Sequence, residues 1–372
     1  MQFTIEKEVF LKGLARVQGI VEKRNTIPIL SNVLIEAGDD DIQLTATDLE
    51  VGMQASYKAN VKKSGKITVS AKKLYEIIKE LPEGEISFLA KDNCWIEIRC
   101  GKALFNIVGL AADEYPYFPQ AGQENFIELS GKTMKELLDK TSFSMSTDES
   151  KYNLNGIYFQ TMDVDGKEML RLVATDGHRL ALVQSEIIKT DIEELNNGVI
   201  FPKKGIFELK KIAEEGDGNI QLGFLDNNAM VKKDQTVIIM RLVDGDFPDY
   251  NRVIPQESEH KAIIHSETFF HTLRRMAILS SEKSRGVKLV MTKGLLEISS
   301  SNPELGDARE DFEIEYSGQE ISVGFNARYL LDIVQSQDED KVILQVRDNM
   351  SPGMITPAEN KNYLAVVMPM RL

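Results

Sequence analysis

The stretch Thr175-Asp176-Gly177-His178-Arg179 puts a hydroxyl, a carboxylate, an imidazole and a guanidinium within five residues. Those types suit a general base oriented by a carboxylate. The spacing argues against such chemistry. Neighbouring side chains on a strand point to opposite faces, so Asp176 and His178 align with each other but with no nucleophile. Other stretches approach known chemistry and miss it. Gly131-Lys132-Thr133 ends like a phosphate loop, yet Phe126 stands where a glycine must let backbone approach phosphate. Gly65-Lys66 is followed by Ile67, not a hydroxyl. Asp163-Val164-Asp165-Gly166 opens like a calcium loop, but its glycine comes too early and the later ligands are missing, so it predicts a hairpin turn. Cys94 and Cys100, the two cysteines, fit no zinc spacing. The expectation is a protein that is not an enzyme and carries no cofactor or metal.

Positioning falls to elements that recur three times. A short strand leads into an amphipathic helix, a meander of strands, a second helix and more strands. The passes begin at Phe3-Thr4-Ile5, at Phe126-Ile127-Glu128-Leu129 and at Ala262-Ile263-Ile264. Ala46-Thr47-Asp48 recurs as Ala174-Thr175-Asp176, and degenerately as Ser300-Ser301-Asn302. Second helices open at Ala71-Lys72-Lys73, Pro202-Lys203-Lys204 and Asn326-Ala327-Arg328, and each pass closes on Phe118-Pro119, Phe247-Pro248 or Met368-Pro369. A period of about 125 residues is the size of a whole domain. It predicts three domains, at 1–122, 123–255 and 256–372 of the 372 residues. Six helices are predicted, over 6–24, 71–81, 130–146, 203–213, 266–285 and 326–337, lying on antiparallel sheet. Helices segregated from sheet make the class α+β.

The net charge is −14, which by itself argues against a nucleic-acid partner. Its distribution reverses that reading. The six predicted helices hold 20 basic and 11 acidic residues, a surplus of about +9 on a chain that is acidic elsewhere. A basic helical face on an acidic body results. No apolar run approaches the ~18 residues of a membrane span. With no export-signal pattern and few cysteines, the expected location is the cytoplasm.

Three segments then carry a resemblance over the whole chain. Val173-Ala174-Thr175-Asp176-Gly177-His178-Arg179-Leu180, the run Leu242-Val243-Asp244-Gly245-Asp246-Phe247-Pro248-Asp249-Tyr250 and the tail Val366-Val367-Met368-Pro369-Met370-Arg371-Leu372 resemble the bacterial DNA sliding clamps, the beta-subunit family of DNA polymerase III. Arg24 and Thr26-Ile27-Pro28-Ile29-Leu30 fit as well. The resemblance implies a head-to-tail homodimeric ring of three-domain subunits that encircles duplex DNA and tethers polymerases. Partners would be the replicative polymerase catalytic subunit, the clamp loader, and other polymerases and repair proteins carrying clamp-binding motifs. It implies DNA contact at Arg24, Lys72, Lys151, Tyr152, Lys203 and Arg252. It implies a hydrophobic partner-peptide cleft formed by Leu154, Thr175, Gly177, His178, Arg179, Leu180, Pro248, Val253, Asn326, Tyr329, Met350, Pro352 and the tail Val366, Val367, Met368, Pro369, Met370, Arg371 and Leu372. Subunits of the family join first repeat to third, which here sets Arg99, Lys102, Phe105 and Ile107 against Glu304, Asp307 and Glu310, with complementary signs and an apolar pair. Two other readings remain open: an enzyme using Asp176 and His178, and a peptide-binding scaffold that never meets DNA.

Overall fold

A computed structural model describes residues 1–21, 27–119, 125–188, 190–256, 258, 260–280 and 285–371. The threefold order is visible element by element. The first repeat runs β1 (Gln2–Glu6), α1 (Lys7–Gln18), β2 (Asn32–Ala37), β3 (Asp41–Thr47), β4 (Val51–Lys58), β5 (Asn60–Lys63), β6 (Gly65–Ser70), α2 (Ala71–Glu80), β7 (Glu85–Ala90), β8 (Trp95–Cys100) and β9 (Ala103–Val108). The second runs β10 (Ile127–Ser130), α3 (Gly131–Asp139), β11 (Gly156–Val164), β12 (Lys167–Thr175), β13 (Arg179–Glu186), α4 (Glu193–Asn197), β14 (Val199–Pro202), α5 (Lys203–Glu214), β15 (Asn219–Leu225), β16 (Asn228–Lys233) and β17 (Thr236–Arg241). The third runs β18 (Lys261–His265), α6 (Ser266–Ala277), β19 (Gly286–Thr292), β20 (Leu295–Asn302), β21 (Gly306–Glu313), β22 (Ile321–Asn326), α7 (Ala327–Gln335), β23 (Lys341–Gln345), β24 (Gly353–Pro357) and β25 (Tyr363–Val367).

Contacts gather these elements into two compact units. The first is Met1–Lys132 with Lys204–Leu242, and the second is Thr133–Lys203 with Val243–Leu372. The first unit holds a five-stranded sheet in the order β5-β1-β7-β8-β9 and an eight-stranded sheet in the order β10-β15-β16-β17-β4-β3-β2-β6. The second holds an eight-stranded sheet, β14-β11-β12-β13-β25-β24-β23-β18, and a four-stranded sheet, β21-β20-β19-β22. The middle repeat therefore divides its strands between the units.

Both eight-stranded sheets are joined in the same way. The last strand of one repeat pairs antiparallel with the meander strand of the repeat before it. Ile239 of β17 faces Gly52 of β4, and Val366 of β25 faces Leu180 of β13. The counterparts of these partners, β9 and β21, stand at the ends of their sheets.

Helices bury one apolar stripe on the sheets. In α1, Phe10, Leu14 and Val17 are fully buried, and Phe10 meets Phe88 edge-on while Phe3 stacks on Phe88 at 4.8 Å. That alternation of apolar positions at helical and strand periods is what the sequence signalled. No helix among the described residues is long and apolar enough to cross a membrane.

Several boundaries differ from the sequence-based expectation. α1 ends at Gln18, α3 at Asp139 and α6 at Ala277, all earlier than predicted. After α3 a short 3-10 turn, Ser142–Ser144, falls within the range predicted as helix. α4 was not predicted at all. Gly198 ends this helix in the left-handed region, at φ 83°. Asp163 to Gly166 is the hairpin turn expected: Asp163 Oδ1 accepts from the Gly166 amide at 3.0 Å between β11 and β12.

Candidate functional site

The segment Thr175 to Arg179 is not one strand: Asp176 to His178 form the tight turn from the end of β12 to the start of β13. Its side chains close it from within. The Thr175 hydroxyl donates to the Arg179 carbonyl at 2.7 Å and accepts from the Gly177 amide at 3.1 Å. Asp176 Oδ1 accepts from the amides of His178 at 2.8 Å and Arg179 at 3.0 Å. Gly177 sits at φ 91°, where a side chain would strain the backbone. Asp176 and Thr175, the acid and hydroxyl that looked catalytic, are thus bound into the turn and activate no neighbour.

The turn forms one wall of a cavity of about 290 Å³ in the second unit. Thr175, Gly177, His178, Arg179 and Leu180 line it from the turn and β13. Leu154 joins them from the 3-10 turn Tyr152–Leu154, Pro248 and Val253 from the segment after β17, and Val366 and Met368 from the last strand and its exit. The Met368 amide donates to the His178 carbonyl at 2.9 Å, which ties the tail to the turn. Behind the wall, Val173, Leu180, Leu182, Tyr250 and Val366 form a buried cluster, and Tyr158 stacks on Phe247 at 4.9 Å. The result is an apolar recess with a few oriented polar groups, the kind of surface that takes a hydrophobic side chain of a ligand.

Sequence reasoning missed Asp249 and Tyr250, which also line the cavity. Both stand in the Asp-Phe-Pro-Asp-Tyr run that carried the resemblance. Asp249 accepts from the Asn251 amide at 3.2 Å and from Arg252 Nε at 2.9 Å.

Other residues expected in the cleft do not line this cavity. Asn326 caps α7, with its Oδ1 accepting from the Arg328 amide at 2.9 Å. Tyr329 lies under the Arg179 guanidinium, 4.5 Å from ring centre to carbon. Burial raises the pKa of its hydroxyl. Val367 is buried in β25 between Arg179 and Gly353. Met350 is exposed on the turn after β23, and Pro352 follows it half-buried. Beyond Pro369, Met370 donates its amide to the Gly324 carbonyl at 2.8 Å, and Arg371 is exposed. Leu372 lies outside the described residues.

The candidate DNA contacts fall in different settings. Arg24 lies outside the described residues. Lys72 is exposed on the first turn of α2, 3.8 Å from Glu76. Tyr152 is 60% exposed, so its ring is available for stacking. Arg252 is exposed and paired with Asp249 at 2.9 Å. Lys203 Nζ donates to the Ser146 carbonyl and Lys151 Nζ to the Asp176 carbonyl, each at 3.4 Å. Lys151 and Arg252 therefore adjoin the cavity wall rather than standing apart from it.

At the candidate subunit edge, Arg99 pairs with Glu97 at 3.1 Å, Lys102 is exposed in the β8–β9 turn, and Phe105 is exposed on β9 with Ile107 half-buried. Leu104 and Val108, not predicted, are exposed on the same strand. Glu304 and Asp307 are exposed at and beside the start of β21. Glu310, expected to face a second subunit, is held within its own chain. Arg275 Nε reaches its Oε2 at 2.7 Å and Thr272 donates to its Oε1 at 3.2 Å, because alternation on β21 turns Glu310 inward toward α6. The Arg275 hydrogen bonds hold its carboxyl below the usual carboxylate range.

Comparison with known proteins agrees across the chain. Residues 1–119 match the N-terminal domain of the DNA polymerase III beta subunit, 128–249 its central domain and 251–371 its C-terminal domain. The beta sliding clamp of Caulobacter vibrioides (strain NA1000 / CB15N) is 36% identical over 375 residues, covering both chains fully. That of Escherichia coli (strain K12) is 36% identical over 373 residues, again with full coverage. A crystal structure of the C. crescentus beta sliding clamp with PEG bound superposes with a TM-score of 0.95 at 35% identity over all of both chains. A Bartonella birtlesii DnaN sliding clamp bound to griselimycin does so with a TM-score of 0.95 at 38% identity. A chain with these three repeats, this cavity and these full-length relatives belongs to the DNA polymerase III beta subunit family, the beta sliding clamps.

Proposed function

We propose that two copies of this chain close head to tail into a ring around duplex DNA. The ring slides without sequence preference in the cytoplasm and tethers polymerases as their processivity factor. The observation that carries the reading is the repeated strand junction. β17 pairs with β4 and β25 with β13, which leaves β9 and β21 as the matching halves of a third junction. A junction between unlike surfaces extends head to tail until it closes. Carrying the register over sets Ile107 opposite Gly306, Phe105 opposite Ala308, and Lys102 opposite Asp311 of a second copy. Arg99 and Lys102 then meet an acidic strand, and the exposed edges disappear.

Size supports two copies. Helices with side chains are about 10 Å across, so six lining a ring leave a hole of roughly 9 Å, and twelve leave roughly 28 Å. A duplex whose grooves are about 12 and 6 Å wide passes only the larger. Three clamp domains per chain, bounded near 1–122, 123–255 and 256–372, supply half of the lining. Lys72, Lys151, Tyr152, Lys203 and Arg252, with Arg24, contact phosphate rather than base edges, so binding is sequence-independent and weakens with salt. The recess beside His178 takes the apolar residues of short linear motifs on the replicative polymerase, the clamp loader and repair proteins. Its methionine suits several partners in turn.

Sedimentation equilibrium and retention on DNA test this together. The expected mass is twice 41.9 kDa, with retention on circular DNA and loss from linear DNA. A monomer at all concentrations, or equal loss from both templates, would overturn the ring.

A further inference from the structure

Arg179 lines the cleft, yet its guanidinium is held by its own chain. Nε donates to Asp176 Oδ2 at 3.1 Å, Nη1 donates to Asp332 Oδ2 at 2.7 Å, and Nη2 donates to the Phe143 carbonyl. Two rings cover the group, Tyr329 at 4.5 Å and Phe143 at 5.3 Å. The side chain is 10% exposed. Asp332 comes from α7 of the third repeat and does not line the cavity. Its other oxygen is held by Arg328 at 3.0 Å, so it is fixed from both sides.

We propose that Asp332 is a positioning residue for the peptide cleft, acting through Arg179 on the turn from Thr175 to Arg179. The inference rests on reading the cavity as the partner-peptide site. Asp176 is the shared link. One of its oxygens closes the turn and the other holds Arg179. Without the Asp332 charge, Nη1 loses its charged partner in a mostly buried place, and Asp176 is left as the one carboxylate on the guanidinium, beside the Phe143 carbonyl. Asp176 is then drawn off the turn amides, and the wall made by Gly177 and His178 loosens. A peptide must order that wall as it binds, which lowers its affinity. Lysine cannot replace Arg179 here, because a point charge does not reach three acceptors in one plane.

The test uses the full-length dimer and a fluorescent peptide carrying a Gln and paired Leu and Phe. D332N is expected to weaken peptide binding about fivefold to twentyfold, a loss that charge pairing of this kind supports. Dimer mass stays unchanged, the thermal midpoint moves little, and the His178 ring proton resonances shift in the free protein. D332E is expected to recover part of the affinity. Y329L, which removes a ring from Arg179 and leaves every charge, is expected to weaken binding in the same direction with a smaller effect. Wild-type affinity in both D332N and Y329L overturns the proposal. So does a loss that follows the fall in thermal midpoint with the His178 resonances unmoved. M368D separates the underlying reading: if it binds the peptide as the wild type does, the cavity is not the peptide site.

Discussion

Several single aspartates in this molecule clasp turns. Asp348 is the clearest. It accepts from the Ser351 hydroxyl at 2.8 Å, from the amides of Met350 at 2.8 Å and Ser351 at 2.6 Å, and from Arg347 at 3.2 Å. Led by the Ser351 hydroxyl, these bonds bring its pKa down to about 2. A carboxylate depressed in the folded state stabilises above its unfolded value, near 3.9, and loses that contribution as pH falls through the folded value. The turn that presents Met350 is therefore set throughout the neutral range. The Met350 methyl resonance is expected to titrate with a midpoint near pH 2 rather than 4, and D348A to abolish that transition. A midpoint near 4 would show that the clasp contributes nothing. Asp176 and Asp249 likewise accept hydrogen bonds from turn amides beside the cavity, which is why the segment that looked catalytic serves as a wall.

At the scale of elements, close backbone approaches decide which glycines matter. β11 meets β14 with Gly156 opposite Pro202. A Cβ on Gly156 would come within 2.1 Å of the Phe201 carbonyl oxygen, which is backbone and cannot swing aside. G156A is expected to cost about 1–3 kcal/mol, as overpacking does, and to lower the thermal midpoint by several degrees. An unchanged midpoint would mean that the two strands separate more easily than their pairing implies. The neighbouring 3-10 turn carries Leu154 to the cavity, so strain here is expected to reach the proposed peptide site as well. Helix ends were the least legible elements. The predicted helix over 130–146 overran α3, because periodicity does not distinguish an α-helix from a following 3-10 turn. α4 has five residues, too few for any period to show.

For the whole molecule, charge and topology work together. The chain carries −14, yet five of its six candidate DNA contacts are basic and its two candidate closing edges carry opposite signs. The register carried over from the two internal junctions predicts a specific pair. R99E with K102E is expected to raise the dimer dissociation constant tenfold or more, and K102E with D311K to restore much of the K102E loss. Sedimentation across a concentration series reads both. A K102E dimer no weaker than wild type would place the closing edge elsewhere.

The threefold repeat, the α+β class and the family are all legible in the chain before it folds. Repeats, apolar periods and motif runs such as Thr175 to Leu180 are local patterns, and local patterns survive in one dimension. It also pointed to Leu154, His178, Pro248 and Val366, which the tertiary structure brings to one cavity. Folding in three dimensions is what puts Tyr250 and Asp249 on that wall, brings Asp332 to Arg179 across 153 residues, and turns Glu310 to its own α6. These outcomes depend on which strand lies beside which and on which face a side chain takes there. Pairing between distant segments settles both, and spacing along the chain does not encode it.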